Sequence, residues 1–118
     1  MTAVEHAAAA VWAELGAGRC ETAYSHALAI ELSGYHQYPV PVVYKDVTVS
    51  VGRADVFLPC HDGRVVVEVK VSDHITPDAR NQANAYARSL RAISVVVAFP
   101  KTATKKPLIE HVAIDLVA

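Results

Sequence analysis

Three ionisable side chains, Asp55, Glu68 and Lys70, stand inside stretches otherwise suited to burial. These are Gly52-Arg53-Ala54-Asp55-Val56-Phe57-Leu58 and Val65-Val66-Val67-Glu68-Val69-Lys70-Val71. Together the two stretches read as a β-hairpin. Residues i and i+2 of a strand share a face, so Glu68 and Lys70 point the same way. With Asp62-Gly63 as a two-residue turn, the ladder pairs His61 with Arg64, Phe57 with Glu68 and Asp55 with Lys70. Asp55 and Phe57 then share the face of Glu68 and Lys70. Desolvating isolated charges is costly, so a bound metal ion or mutual pairing is the expected compensation.

Two carboxylates and a nearby backbone carbonyl make a hard oxygen site of the kind Mg²⁺ or Mn²⁺ prefers, with positions left for water and a phosphate. A lysine two residues beyond the second carboxylate can stabilise charge on that phosphate or orient an attacking water. The same residues also suit a structural ion pair, because Asp55 and Lys70 would be cross-strand neighbours of opposite charge. The hairpin alone leaves both readings open.

The elements that must position these groups follow from patterning. Thr2-x-x-Glu5 is a capping box, and the alanine-rich run to Leu15 reads as a helix ended by Gly16. A second helix is expected from about Arg19 to Ser33, with Gly34 at its C-terminal end. Gln37–Tyr44 reads as a strand made an edge by Pro39 and Pro41. Lys45-Asp46 turn the chain into Val47–Val51, which runs on through Gly52 to Asp55. Thr76-Pro77-Asp78 is a helix start, with Thr76 as N-cap and Pro77 at the first position. That helix runs to about Arg91 and places Gln82 and Tyr86 one turn apart on one face. Ile93–Phe99 is a continuous apolar strand expected at the centre of the sheet. Pro100–Pro107 is a loop made basic by Lys101, Lys105 and Lys106, with Lys101 a candidate phosphate contact. Leu108–Val117 reads as a last strand, pairing at an edge or with another chain. The order ααβββαββ implies an α/β (α+β) fold, a mixed sheet flanked by helices.

The chain has 118 residues, which suits one domain over 1–118. Its hydrophobic content of 53% is high for that length. No apolar run approaches the ~18 residues of a membrane span, and Met1 to Glu5 lacks the basic start of a signal peptide. The expectation is an intracellular protein that is not secreted and has no membrane contact. Some of its apolar surface would be covered in a homodimer or by a partner protein. Cys20 and Cys60 have no CxxC spacing, and the histidines form no HExxH or HxxxH pattern, so no zinc site is indicated. A net charge of −1 argues against a dedicated nucleic-acid coating protein, yet local charge and a metal can still handle phosphate.

The element order, with Asp on one strand and Glu-x-Lys on the next, resembles the PD-(D/E)XK nuclease superfamily. Within it, Gly18-Arg19-Cys20-Glu21-Thr22-Ala23-Tyr24 is similar to the signature of the GxxExxY family. Glu14-Leu15-Gly16-Ala17-Gly18, Pro39-Val40-Pro41-Val42 with Tyr44-Lys45, and Arg53-Ala54-Asp55 sit where that family places similar residues. The resemblance extends from Val4 to Phe99. It departs at Ala79, where the family usually has histidine, and at Ala98-Phe99-Pro100, where Asn-Phe-Gly is common.

The resemblance implies a restriction-endonuclease-like core and a Mg²⁺- or Mn²⁺-dependent nuclease acting on DNA, with RNA the second choice. Asp55 and Glu68 would be metal ligands, joined by the backbone carbonyl of Val69. Lys70 would be the catalytic lysine. Glu21 would be a further acidic ligand or water-orienting group. Gln82 matches a glutamine on the following helix of RecB-like members, and Tyr86 one turn on could help position a phosphate or the lysine. The rival expectation is a non-catalytic member serving as a structural or protein-binding module.

Overall fold

Thr2 starts the first helix. In the computed structural model, which describes residues 2–59 and 63–112, its Oγ1 accepts from the Glu5 amide at 3.2 Å and donates to the Glu5 carboxylate at 3.3 Å. Helix α1 (Ala3–Leu15) ends at Gly16, whose φ of 65° suits glycine. Helix α2 (Glu21–Leu32) follows from an N-cap at Cys20, slightly shorter at each end than its sequence suggests. Then come strands β1 (Tyr35–Tyr44), β2 (Val47–Leu58) and β3 (Val65–Val71), helix α3 (Pro77–Leu90), and strands β4 (Ile93–Phe99) and β5 (Leu108–Val112).

The five strands lie in sequence order. All neighbours are antiparallel except β3 and β4, which are parallel and joined by the α3 crossover. The middle strand is therefore β3; β4 lies beside it with both flanks paired. β1 is an edge, as its prolines require. β5 pairs with β4 of its own chain as far as Val112, and the remainder of the expected Leu108–Val117 strand lies outside the described residues.

Helices α1 and α2 cover one sheet face. There Tyr24 and Leu28 are fully buried against Val56, Val69, Val97 and Phe99. Tyr24 stacks on Phe99 with ring centroids 4.5 Å apart, and its hydroxyl donates to the Gly16 carbonyl at 2.6 Å. That bond fixes the loop from which α2 starts. Helix α3 covers the other face through Ala79, Ala83 and Ala87, small enough for its backbone to lie close to Val66 and Val96. The Thr76 hydroxyl accepts from the Ala79 amide at 3.2 Å. Thr76→Ala should cost about 1 kcal/mol, read as a lower denaturant midpoint at unchanged slope.

The β2–β3 register differs from the sequence expectation. The pairs are Val56–Val67, Phe57–Val66 and Leu58–Val65, so Phe57 does not face Glu68 and Asp55 does not face Lys70. Pro59 accounts for this: lacking an N–H, it cannot extend the ladder, and the connection becomes longer than a two-residue turn. His61 and Asp62, and with them the expected Asp62-Gly63 turn, lie outside the described residues. The shift amounts to two residues, and a shift of two by itself moves no side chain to the other face. Asp55 now stands level with Glu68.

Candidate active site

The β2–β3 ladder stops at Val56–Val67, and beyond it side chains take the backbone's place. The Val69 amide donates to Asp55 Oδ2 at 2.7 Å, and the Asp55 amide points at Glu68 Oε1 at 3.5 Å. Two carboxylates thus fill the gap where the strands part. Opposite Asp55 on β1 stands Gln37, with φ 56°; its Nε2 donates to Asp55 Oδ1 at 3.4 Å. Alternation also breaks here. Ala54 and Phe57, three residues apart, join the same α3-side cluster. The sheet is locally irregular where its chemistry is concentrated.

Glu68 is only 1% exposed and is the only charged residue buried among the described residues. Burial, then the neighbouring Asp55 charge, push its carboxyl up to about 8. Burial also raises Asp55, against the Val69 amide and the Lys70 charge, which favour its ionised form. The two side chains share a hydrogen bond that favours the Asp55 anion and the protonated Glu68. Without a cation, the pair keeps a proton on Glu68.

Lys70 is on the same face, one strand repeat further on. Its Nζ donates to Gln82 Oε1 at 3.0 Å and lies 4.0 Å from Glu21 Oε1. Gln82 Nε2 in turn donates to the Tyr86 hydroxyl at 3.4 Å. Tyr86 packs on Gly52, where a Cβ would come within 2.7 Å of the ring. The lysine is therefore held from two helices, by a carboxylate at the start of α2 and an amide on α3. Among the described residues its ion pair is with Glu21 and not with Asp55, so the simple cross-strand pair does not form.

The structure thus brings together Asp55, Glu68, Val69 and Lys70, and extends them through Gln82 to Tyr86. Glu21 reaches the lysine rather than the carboxylate pair, and among the described residues no three His, Cys, Asp or Glu side chains form a group able to hold one ion. Lys101 enters by its backbone: its amide donates to Asp73 Oδ1 at 3.0 Å, tying down the basic loop. Asp73 also accepts from Lys105 Nζ at 3.2 Å. The sequence reading missed Gln37. Nothing in its residue type marks it; only its level on β1 opposite Asp55 could have. The residues present fit a hard divalent cation: two carboxylates, level in register, one buried and short of compensating charge.

Among the described residues, a mixed five-stranded sheet flanked by three helices, with Asp, Glu and Lys where its inner strands part, defines a restriction-endonuclease-like α+β protein. Residues 1–112 match the PD-(D/E)XK nuclease superfamily, and the chain belongs to it. No curated protein matches the chain. Membership supports a nuclease-type function, and nucleases of this superfamily generally use divalent metals.

Proposed function

We propose that this protein is a Mg²⁺- or Mn²⁺-dependent nuclease that hydrolyses phosphodiester bonds of DNA, with RNA the second substrate class, and that it belongs with the GxxExxY branch of its superfamily. The observation that carries this reading is the pair Asp55 and Glu68, level on parting strands, with Lys70 on the same face. Asp55 and Glu68 would hold the cation, with the Val69 carbonyl as a third oxygen. When bound, the cation supplies polarisation of a phosphate oxygen and a more acidic water. Lys70 places a positive charge where the phosphate gains negative charge. Gln82 and Glu21 keep Nζ in place, and Tyr86 holds Gln82.

A thermal melt tests the metal assignment. A cation at about 100 times its dissociation constant adds roughly 2.7 kcal/mol, which corresponds to a rise of roughly 10 °C in Tm for a domain of this size. The rise should be absent in Asp55→Asn, where one ligand charge is gone. Melting curves that millimolar Mg²⁺ and Mn²⁺ leave unchanged, in the wild type and in Asp55→Asn alike, would remove the basis of the reading.

A further inference from the structure

Among the described residues, five that are not glycine have a left-handed backbone. Four have an ordinary reason. Ser33 and Arg91 end helices α2 and α3. Lys45 and Asp46 form the tight turn between β1 and β2, whose geometry calls for positive φ at both positions. The fifth, Gln37 with φ 56°, stands inside strand β1. No inserted residue explains it. The pairs Tyr35–Phe57, His36–Val56, Tyr38–Ala54 and Pro39–Arg53 keep one register across it, and the shift in this ladder comes only at Val42/Val43.

What changes at Gln37 is the face of the sheet. His36 lies on the α2 side, its Nε2 2.8 Å from Ser25 Oγ and its ring stacked on His26. Tyr38, two residues on, packs against Phe57 on the α3 side. Strand β2 crosses over at the same level, with Val56 on the α1–α2 side and Ala54 on the α3 side. Gln37 and Asp55 are thus the rung at which both strands change face. Glycine would make this crossing without strain. Glutamine brings its Cβ against the following carbonyl, and such strain persists only where the surroundings hold it. Here they do. Arg53 Nη1 donates to the Gln37 carbonyl at 3.4 Å, and Gln37 Nε2 donates to Asp55 Oδ1 at 3.4 Å. The Val69 amide holds the other oxygen, Oδ2, at 2.7 Å. The carboxylate is therefore gripped from both neighbouring strands, which fixes where its remaining lone pairs point. A neutral amide does this without cancelling the charge a cation needs.

We propose that Gln37 is a positioning residue for Asp55: its left-handed backbone aims the side-chain amide at Oδ1 and so sets the carboxylate for a divalent cation. This role rests on the nuclease reading and adds to it the residue that orients the ligand.

Two variants of the full chain remove the amide and differ in backbone freedom. In an ordinary strand interior alanine is more stable than glycine; at a left-handed position the order reverses. Metal-free Gln37→Gly should therefore melt above Gln37→Ala, by roughly 4 °C. In calorimetry both should bind Mn²⁺ about tenfold more weakly than the wild type, the low end for loss of a group that orients a metal ligand, because the contact is long. Cleavage should follow in kcat more than in KM for the nucleic acid. A glycine variant that melts higher yet binds Mn²⁺ like the wild type overturns the proposal and leaves Gln37 to the crossing alone. An alanine variant that melts above the glycine variant also overturns it, because the backbone is then not strained. A wild type that itself binds no Mn²⁺ brings down the nuclease reading and this role together, a failure distinct from the other two, in which the wild type binds.

Discussion

Lys70→Ala is expected to lower the rate of phosphodiester cleavage by at least about 100-fold while leaving metal binding in place. The magnitude follows from what a fixed charge aimed at developing negative charge is worth, roughly 3–4 kcal/mol when the donor is preorganised. Preorganisation is visible here. Gln82 holds Nζ at 3.0 Å and Glu21 stands 4.0 Å away, so little reorganisation remains for the reaction. Asp55 and Glu68 are untouched by the change, and the thermal shift with Mg²⁺ should persist. Glu68→Gln should differ by losing cleavage and thermal shift together. Gln82→Ala should fall between, lowering kcat more than it raises KM, because it frees the lysine without removing it. Wild-type turnover in purified Lys70→Ala would end the assignment of this lysine. A wild type inactive on every DNA and RNA substrate, with its metal shift intact, would return the protein to a binding role.

The sequence carried the catalytic face further than it carried the geometry around it. Period-two alternation is insensitive to a shift of two, so Asp55, Glu68 and Lys70 were placed on one face even with the wrong partners opposite. What the pattern could not show was that Pro59 ends the ladder early, or that the strands part at Val56 and leave their amides to carboxylates. Gln37 escaped for a related reason: its role depends on standing opposite Asp55, a fact of pairing and not of residue type. Glu21 illustrates the converse. Its motif drew it to the acidic cluster, yet the start of α2 is set by Tyr24 stacking on Phe99 and bonding to Gly16, and from there the carboxylate meets Lys70. The apolar excess points to a surface covered by a second copy or a partner, and Leu108–Val117 to an edge open to one. β5 pairs with β4 of its own chain, and part of the excess lies on the exposed Val42–Val51 end of the β1–β2 hairpin.

Metal-free protein should lose stability as pH rises from 6.5 to 8, and a divalent cation should reverse the trend. Glu68 ionises near 4.5 when unfolded and is pushed up to about 8 in the fold. Between those values the native state holds a proton that the unfolded chain has lost. The stabilisation is complete below 4.5, declines through the window and is gone above 8, at up to about 1.4 kcal/mol per pH unit. Asp55, also raised by burial, adds in the same sense. His36 opposes both. Burial and the stacked His26 hold it below its ordinary 6.5, so its contribution grows as pH rises towards 6.5 and is complete above it. The interval from 6.5 to 8 therefore isolates the carboxylate pair. In that interval metal must displace the Glu68 proton, so its apparent affinity should climb up to tenfold per unit until about pH 8. Melting curves at the two pH values, with and without Mn²⁺, read both effects. Glu68→Gln keeps the shape, cannot ionise, and should flatten the metal-free slope. If the slope survives in Glu68→Gln, another group carries it, and the buried glutamate is already charged in the native protein.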